Sequence, residues 1–275
     1  MEFDGFTPVD PVRPAAGYIG GKRVLAKSLV QRISDIPHET YAEVFVGMGG
    51  VFFRRKSAPK AEVINDFSGD VATFFRIIQR HYTAFVDMIR YQVTSRREFE
   101  RLKATDPATL TDLERSARFL YLQRTAFGGK VAGRNFGVSV AEPGAFDVTK
   151  IVPLLEAIHE RLAGVVIEQQ SYQDFIPRYD RAGTLFYLDP PYWGSEGDYG
   201  KDLFGRADFE TLAQILRGVK ERFLLSLNDC PGVRETFAGF AIESVRVTYT
   251  ISRSNAQSAG EVIISNSPIR SSKSP

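Results

Sequence analysis

Apolar and polar positions follow two rhythms along the chain, one of period two and one of period 3.6, and they predict alternating strands and helices. From Gly20 to Ser34, Val24, Leu25, Ser28, Leu29 and Arg32 fall at helical spacing and predict a helix with a narrow apolar stripe. Tyr41 to Val46 is short and rich in aromatic and β-branched residues, and it runs into Gly47-Met48-Gly49-Gly50, which reads as a strand entering a glycine turn. A second strand, Ala61 to Ile64, ends at Asn65-Asp66 and precedes a long helical stretch, Gly69 to Arg90. Such βαβ units favour a parallel sheet with right-handed crossovers.

Between Tyr91 and Lys150 the texture changes. Charged helical segments, Arg96 to Lys103 and Thr111 to Thr125, give way to a loop from Phe127 to Gly137 that holds Gly128, Gly129, Gly133 and Gly137. So many glycines in so short a run predict a flexible, basic, aromatic-bearing loop that closes an inserted subdomain. The α/β rhythm then resumes with helix Lys150 to Leu162, strand Val165 to Glu168, a short helix near Tyr172 to Ile176 and strand Thr184 to Leu188. Helix Ala207 to Val219 follows, with Phe209, Leu212, Ile215, Leu216 and Val219 on one face, and then strand Phe223 to Leu227. Ile242 to Ile251 and Val262 to Ser265 lack a helix between them and predict an antiparallel hairpin, and the tail from Ser267 is expected to fray. The expected division is 1–90 and 151–275 as two parts of one catalytic α/β domain, with 91–150 as the insert.

Composition narrows the class. With 275 residues, 43% hydrophobic and 25% charged, the chain is globular, which excludes disorder and fibre. No apolar run approaches the roughly 20 residues that cross a bilayer, and Met1 to Pro14 lacks the basic start and apolar middle of an export signal, so a cytoplasmic protein without membrane attachment is expected. A lone Cys230 excludes an internal disulfide framework. His38, His81 and His159 have no second ligand at a metal-type spacing, so no metal site is expected. Net charge is only +2, yet Arg90 to Arg134 holds ten Lys or Arg against five Asp or Glu, the excess expected of a face that meets a polyanion, or of solvated helix faces.

The candidate chemistry lies in Asp189-Pro190-Pro191-Tyr192, at the carboxyl end of an apolar strand, where open α/β sheets bind ligands. Two prolines remove two backbone donors, so the turn presents acceptors only. A planar amino group, as on adenine or cytosine, offers two N–H donors and a π-face, and it matches a carboxylate, a carbonyl and a stacking tyrosine. Catalysis of its methylation by a sulfonium would be positional and electrostatic, with no covalent enzyme intermediate. The plainer reading is a turn after a strand. The glycines after Phe45 permit close approach of a ligand, but they fail the dinucleotide fingerprint at Phe52 and lack a P-loop lysine. Asp66, about 20 residues on, stands where a carboxylate binds ribose hydroxyls, so an adenosine ligand without a polyphosphate fits; a packing turn with a helix-capping Asp66 is the alternative.

Taken in order, these pieces resemble the Dam-type family of adenine-N6 DNA methyltransferases, which use S-adenosylmethionine. The motifs are Tyr18-Ile19-Gly20-Gly21-Lys22, Glu43-x-Phe45-x-Gly47-x-Gly49-Gly50, Asn65-Asp66, Asp174-Phe175, Asp189 to Tyr192, Ser226-Leu227-Asn228-Asp229 and Glu261 to Asn266, spread over nearly the whole chain. The resemblance implies a Rossmann-like methyltransferase fold, with a mixed, mostly parallel sheet ending in an antiparallel hairpin and a mainly helical DNA-recognition insert. It implies that Tyr18 and Lys22 contact the methionine moiety and line the target pocket, that Phe45, Gly47 and Gly49 hold the cofactor, and that Asp66 takes its ribose and Asp174 with Phe175 its adenine. It also implies that Asp189 and the Pro190 carbonyl accept hydrogen bonds from the target amino group, with Tyr192 stacking on the base and Tyr199 closing over it. Double-stranded DNA is then the partner and a monomer the expected state. The base must be flipped out of the duplex, and Arg124, Lys130 and Arg134 are candidates for phosphate or base-edge contacts.

The insert departs from the family. Relatives that read GATC often carry Asn-Arg-Thr-Gly-Phe-Asn-Gly where this chain has Gln123-Arg124-Thr125-Ala126-Phe127-Gly128-Gly129, so the recognition sequence is not carried over. Methylation of cytosine N4 or of an RNA amino group, a non-catalytic DNA-binding module and a nicotinamide oxidoreductase are the alternatives; the intact Asp-Pro-Pro-Tyr and the failed fingerprint oppose the last two. Trp193 is expected to pack the loop, with a wider stacking surface as the alternative, Cys230 to be a bland loop residue, and Arg54-Arg55-Lys56 to be a solvated helix end, with a reach to a phosphate backbone as the alternative.

Overall fold

Seven strands hydrogen-bond into one sheet: β1 (Thr40–Glu43), β2 (Ala61–Asn65), β3 (Val166–Glu168), β4 (Thr184–Leu188), β5 (Arg222–Asn228), β6 (Ala241–Ser252) and β7 (Asn255–Ser265), in the order β3-β2-β1-β4-β5-β7-β6. The computed structural model describes residues 5–18, 22, 25–137, 143–199, 203–252 and 255–268, with backbone alone at 199, 246–252 and 255–259. Strands β1 to β5 are parallel. Strand β7 runs antiparallel to both neighbours, so the C-terminal hairpin is as predicted, with its second strand wedged between β5 and the first. Because β7 is reversed, its early residues lie at the carboxyl edge of the parallel strands: Glu261 stands opposite Asn228, the last residue of β5.

Alternation along each strand sorts the core into two layers. Tyr41, Ile64, Leu185, Tyr187, Leu224 and Ile263 face one side, where they meet α1 (Ala26–Asp35), α2 (Gly69–Ile89) and α5 (Val148–Arg161). Ala42, Val63, Phe186, Leu188, Leu225 and Val262 face the other, against α6 (Tyr172–Tyr179), α7 (Arg206–Gly218) and α8 (Pro231–Thr236). The segment from 91 to 150 adds α3 (Arg96–Ala104) and α4 (Asp112–Thr125), which start at the caps Ser95 and Thr111. Phe99 and Phe119 are fully packed into the first layer, with Phe119 5.8 Å from the Phe74 ring of α2. No helix among the described residues is long and apolar enough to cross a membrane.

Differences from the expected elements have local causes. Strand β1 stops at Glu43 rather than Val46, where the chain bends at Val44 and Phe45 ahead of the left-handed Gly47 (φ 50°) and Gly49 (φ 73°). Helix α1 is seen from Ala26; the expected start at Gly20 lies outside the described residues, as do residues 269–275 of the tail. A two-residue ribbon, Thr7–Pro8 against Ser57–Ala58, and the short α8 are too brief to leave a periodic signal. The basic run after the glycine turn is a helix end whose Lys56 is exposed, as expected, but whose Arg55 is not solvated. Arg55 is buried, stacked 3.8 Å over the Tyr41 ring, and paired with Glu62 at 2.5 Å, while Arg161 meets the same carboxylate at 2.6 Å.

One carboxylate thus pairs with two buried guanidinium groups. Removing it leaves both charges unpaired, so Glu62→Ala is expected to lower unfolding free energy by about 3–5 kcal/mol in urea denaturation. A loss below about 1 kcal/mol would show that this triad behaves like an exposed pair.

Candidate active site

The strand order reverses between β1 and β4, and there the connecting loops part to opposite faces and leave a crevice at the carboxyl edge. A cavity of about 470 Å³ opens in it, lined by Tyr18, Lys22, Glu43, Phe45, Gly47, Asp66, Asp189 and Pro191 among others. The polar rim of the sheet beside it follows from alternation. On the α2-facing side each strand carries apolar residues and then, at its carboxyl rim, a polar one: Glu43 after Tyr41, Asp66 after Ile64, Asp189 after Tyr187 and Ser226 after Leu224. The reversed β7 adds Glu261 before Ile263.

Lys22 stands at the centre, only 2% exposed. Its ammonium lies 2.9 Å from Asp189 Oδ1 and 3.3 Å from Glu261 Oε2, and it donates to the Tyr192 hydroxyl, which in turn donates to Glu261 Oε1 at 2.7 Å. Three N–H donors thus meet three acceptors. Ser226 also donates to Asp189 Oδ1 at 3.2 Å, so both described bonds fall on one carboxylate oxygen. Burial pushes the Asp189 carboxyl up to about 6 against the opposing pull of Lys22. Glu43, reached by the Tyr41 hydroxyl at 2.6 Å, is pushed up to about 8 by burial, so it is largely a neutral acid near pH 7.

The glycine turn is held by Asp66, whose oxygens accept the Gly47 N–H at 2.9 Å and the Ser68 N–H at 2.9 Å; burial still raises its carboxyl to about 6. A Cβ on Gly49 would come within 2.3 Å of the Phe53 ring, so the turn requires glycine by contact as well as by φ. Phe45 lies in the wall, tilted against Tyr172 and edge-on to Phe204.

The turn after β4 is fastened from β5. Asn228 mimics a backbone pair to Trp193, accepting its N–H at 2.9 Å and donating to its carbonyl at 3.1 Å. Trp193 packs as expected, 4.9 Å from the Phe209 ring, beneath the Arg206 guanidinium, and so close to Gly232 that a Cβ there would collide at 2.2 Å. Pro190 is buried, and Pro191 faces the cavity.

Other expected residues lie elsewhere. Phe175 is fully buried, packed on Tyr179 at 4.7 Å, and does not reach the cavity, because helical spacing turns it into the second core layer. Asp174 is exposed, bonded to Ser171, and lines a shallower adjoining pocket with Gln169 and Gln170; Phe67, 47% exposed, forms the wall shared by the two. Arg124 is tied to the carbonyls of Ala15 and Ala145, and Arg134 to the Lys130 carbonyl and Gln123, so both guanidinium groups brace the insert from inside. Lys130 and Phe127 remain exposed on the glycine loop. The Tyr199 side chain lies outside the described residues. Gln123 is 1% exposed and faces inward, donating to the carbonyls of Gly17 at 2.9 Å and Gly129 at 2.6 Å. It ties the loop to the cavity wall and is not placed to read a base edge.

Sequence reasoning assigned no role to Glu43, Phe67, Leu203, Phe204 or Glu261. Glu43 and Glu261 carried a signal, a carboxylate breaking an apolar strand at its rim; Leu203 and Phe204 come from a segment without periodicity. Among the described residues no cluster of three His, Cys, Asp or Glu side chains is arranged to hold a metal ion.

Residues 18–251 match the family model for D12 class N6 adenine-specific DNA methyltransferases. The type II methyltransferase M.CviBI of Paramecium bursaria Chlorella virus NC1A is 23% identical over 235 residues, covering 83% of this chain and 88% of that protein. M1.LlaDCHI of Lactococcus lactis subsp. cremoris is 26% identical over 279 residues, covering 93% and 95%. The DNA adenine methylase of Haemophilus influenzae is 24% identical over 265 residues, covering 88% of each.

Because Glu43 holds its proton more tightly folded than unfolded, the stability it contributes is present below about pH 4.5 and is lost as pH rises toward about 8. Glu43→Gln is expected to flatten the fall in stability between about pH 5 and pH 9, by on the order of 2 kcal/mol in urea denaturation. An unchanged slope would mean that Glu43 ionises as it does in water.

Proposed function

The chain belongs to the D12 class of N6 adenine-specific DNA methyltransferases, and from that premise we propose how its own residues divide the work. As a site-specific DNA adenine-N6 methyltransferase it must hold a methyl donor and an extruded adenine in one crevice. The carboxylate-rich rim of the sheet is the observation that carries the assignment. Asp66 and Asp189 present carboxylate oxygens to the cavity beside the cations Arg13, Lys22 and Arg54, a set of acceptors suited to hydroxyl and amino groups. S-adenosylmethionine, when bound, supplies an electrophilic methyl on a positively charged sulfur. The glycine cradle beneath Phe45 admits backbone approach, Asp66 offers acceptors to ribose hydroxyls, and Phe67 with the adjoining Asp174 pocket suits a flat purine. Phe175 supports that pocket from the core rather than touching the ligand.

Asp189 and the Pro190 carbonyl are then the acceptors that orient the amino group, with Tyr192 stacking on the ring. Oδ2 of Asp189 is the oxygen offered to the amino N–H, since Lys22 and Ser226 occupy Oδ1. The carboxylate stabilises positive charge as it develops on the nitrogen, and its raised affinity lets it take up the departing proton and pass it to water. Polar hydrogen bonds and apolar walls hold both reactants in place, which is where the rate gain arises.

An adenine stacked in a duplex cannot reach a crevice behind this rim, so it is flipped. The insert, residues 91–150, borders the crevice: the Ala132 N–H donates to the Asp198 carbonyl beyond the Asp-Pro-Pro-Tyr turn. Exposed Lys130 offers a phosphate contact, and Phe127, 70% exposed, offers an apolar surface to an opened base step. Double-stranded DNA is the substrate in this reading, the protein works in the cytoplasm, and one chain carries every group named, so a monomer suffices.

Asp189→Ala is expected to bind S-adenosylmethionine in calorimetry while methyl transfer falls by about 10³-fold; near wild-type turnover would sink the role given to Asp189. Lys130→Ala is expected to weaken DNA binding on all sequences and to reduce the salt slope by about one, and an unaltered slope would remove Lys130 from the interface.

A further inference from the structure

Glu261 is a carboxylate 1% exposed, on a strand whose neighbours on the same face are apolar, and it does not line the cavity. A buried carboxylate is costly unless its partners require it. Both partners here belong to the reading above: Lys22, which also holds Asp189, and the hydroxyl of Tyr192. We propose that Glu261 is a positioning residue for methyl transfer, sharing the Lys22 ammonium with Asp189 and fixing Tyr192 as the wall on which the target base stacks. The inference rests on that reading of Asp189 and Tyr192.

The geometry supplies the reason for each half. An ammonium placed on Asp189 alone would weaken that carboxylate as an acceptor for the amino group. Glu261 Oε2, 3.3 Å from the same nitrogen, divides the attraction. Oε1 accepts from Tyr192 at 2.7 Å and anchors the ring through its far end, while Asn228 anchors the same turn through Trp193. The two tethers are cross-strand partners, Asn228 opposite Glu261, so one rung of the sheet sets the turn from both ends. Among the described residues, the polar groups facing this rung include Lys22 from the N-terminal segment, Glu43 from β1, Tyr187, Asp189 and Tyr192 from β4 and its turn, and Ser226 and Asn228 from β5.

Glu261→Gln keeps the shape and an acceptor for Tyr192, but it sets an N–H donor against the Lys22 ammonium, which then shifts wholly to Asp189. On unmethylated DNA at saturating cofactor, kcat is expected to fall by about tenfold or more with KM for DNA within about threefold. The acid limb of the pH profile should move to lower pH, because Asp189 loses a repelling neighbour and gains more of Lys22. Glu261→Asp keeps the charge but is one methylene shorter and cannot reach both partners; it should lower kcat and leave the acid limb in place. Binding of S-adenosylhomocysteine, followed by calorimetry, should stay within about threefold in both variants. A kcat for Glu261→Gln near wild type, an unmoved acid limb, or loss of S-adenosylhomocysteine binding in step with kcat would each overturn the proposal. An active Asp189→Ala variant would overturn the underlying reading instead, whereas an inactive one beside a fully active Glu261→Gln would refute only the role of Glu261.

Discussion

An ammonium removed from water must find its hydrogen-bond partners inside the protein, and that requirement at Lys22 organises the site. An unpaired buried cation costs several kcal/mol, so Lys22 gathers Asp189 from β4, Tyr192 from the following turn and Glu261 from β7. These groups are far apart in sequence and can meet only if β7 runs antiparallel beside β5, which brings its early residues to the carboxyl edge of the parallel strands. The C-terminal hairpin is thus more than an edge to the sheet; its reversed strand delivers a carboxylate to a rim that parallel strands alone leave open on that side.

The same economy of partners joins the insert to the cavity. Arg124 and Gln123, on the last turns of α4, bond to the carbonyls of Ala15 and Gly17, beside residues that line the crevice. Gln123 also holds Gly129 in the glycine loop, and Arg134 closes on Gln123. The glycine loop and a segment that lines the cavity are therefore held by one buried side chain.

Period and turn chemistry disclosed the sheet, the order of elements and the glycine and Asp-Pro-Pro-Tyr turns, because each strand is a short apolar run that ends in a residue with special backbone needs. Lys22, Phe45, Asp66 and Asp189, far apart in sequence, line one cavity. What stayed hidden depended on tertiary partners. Arg55 reads as a surface charge until Glu62 and Arg161 are brought to it. Arg124 and Arg134 read as DNA contacts, yet the carbonyls that bind them lie as far away as Ala15 and Ala145. Phe175 shares a motif with Asp174, but neighbouring positions on a helix face different ways, and only one of them borders a pocket. Glu261 sits in an apolar strand as an anomaly whose meaning appears only with the register of β7.

The most direct test of a rim of carboxylates built for methylating adenine is to incubate the purified protein with S-adenosylmethionine and unmethylated bacterial DNA, and then to digest the DNA to nucleosides for mass spectrometry. The structure and the family predict N6-methyladenine at one recurring short sequence and no other modified base. N4-methylcytosine would contradict the substrate, and DNA left unmodified despite measurable cofactor binding would contradict the catalytic role of the site.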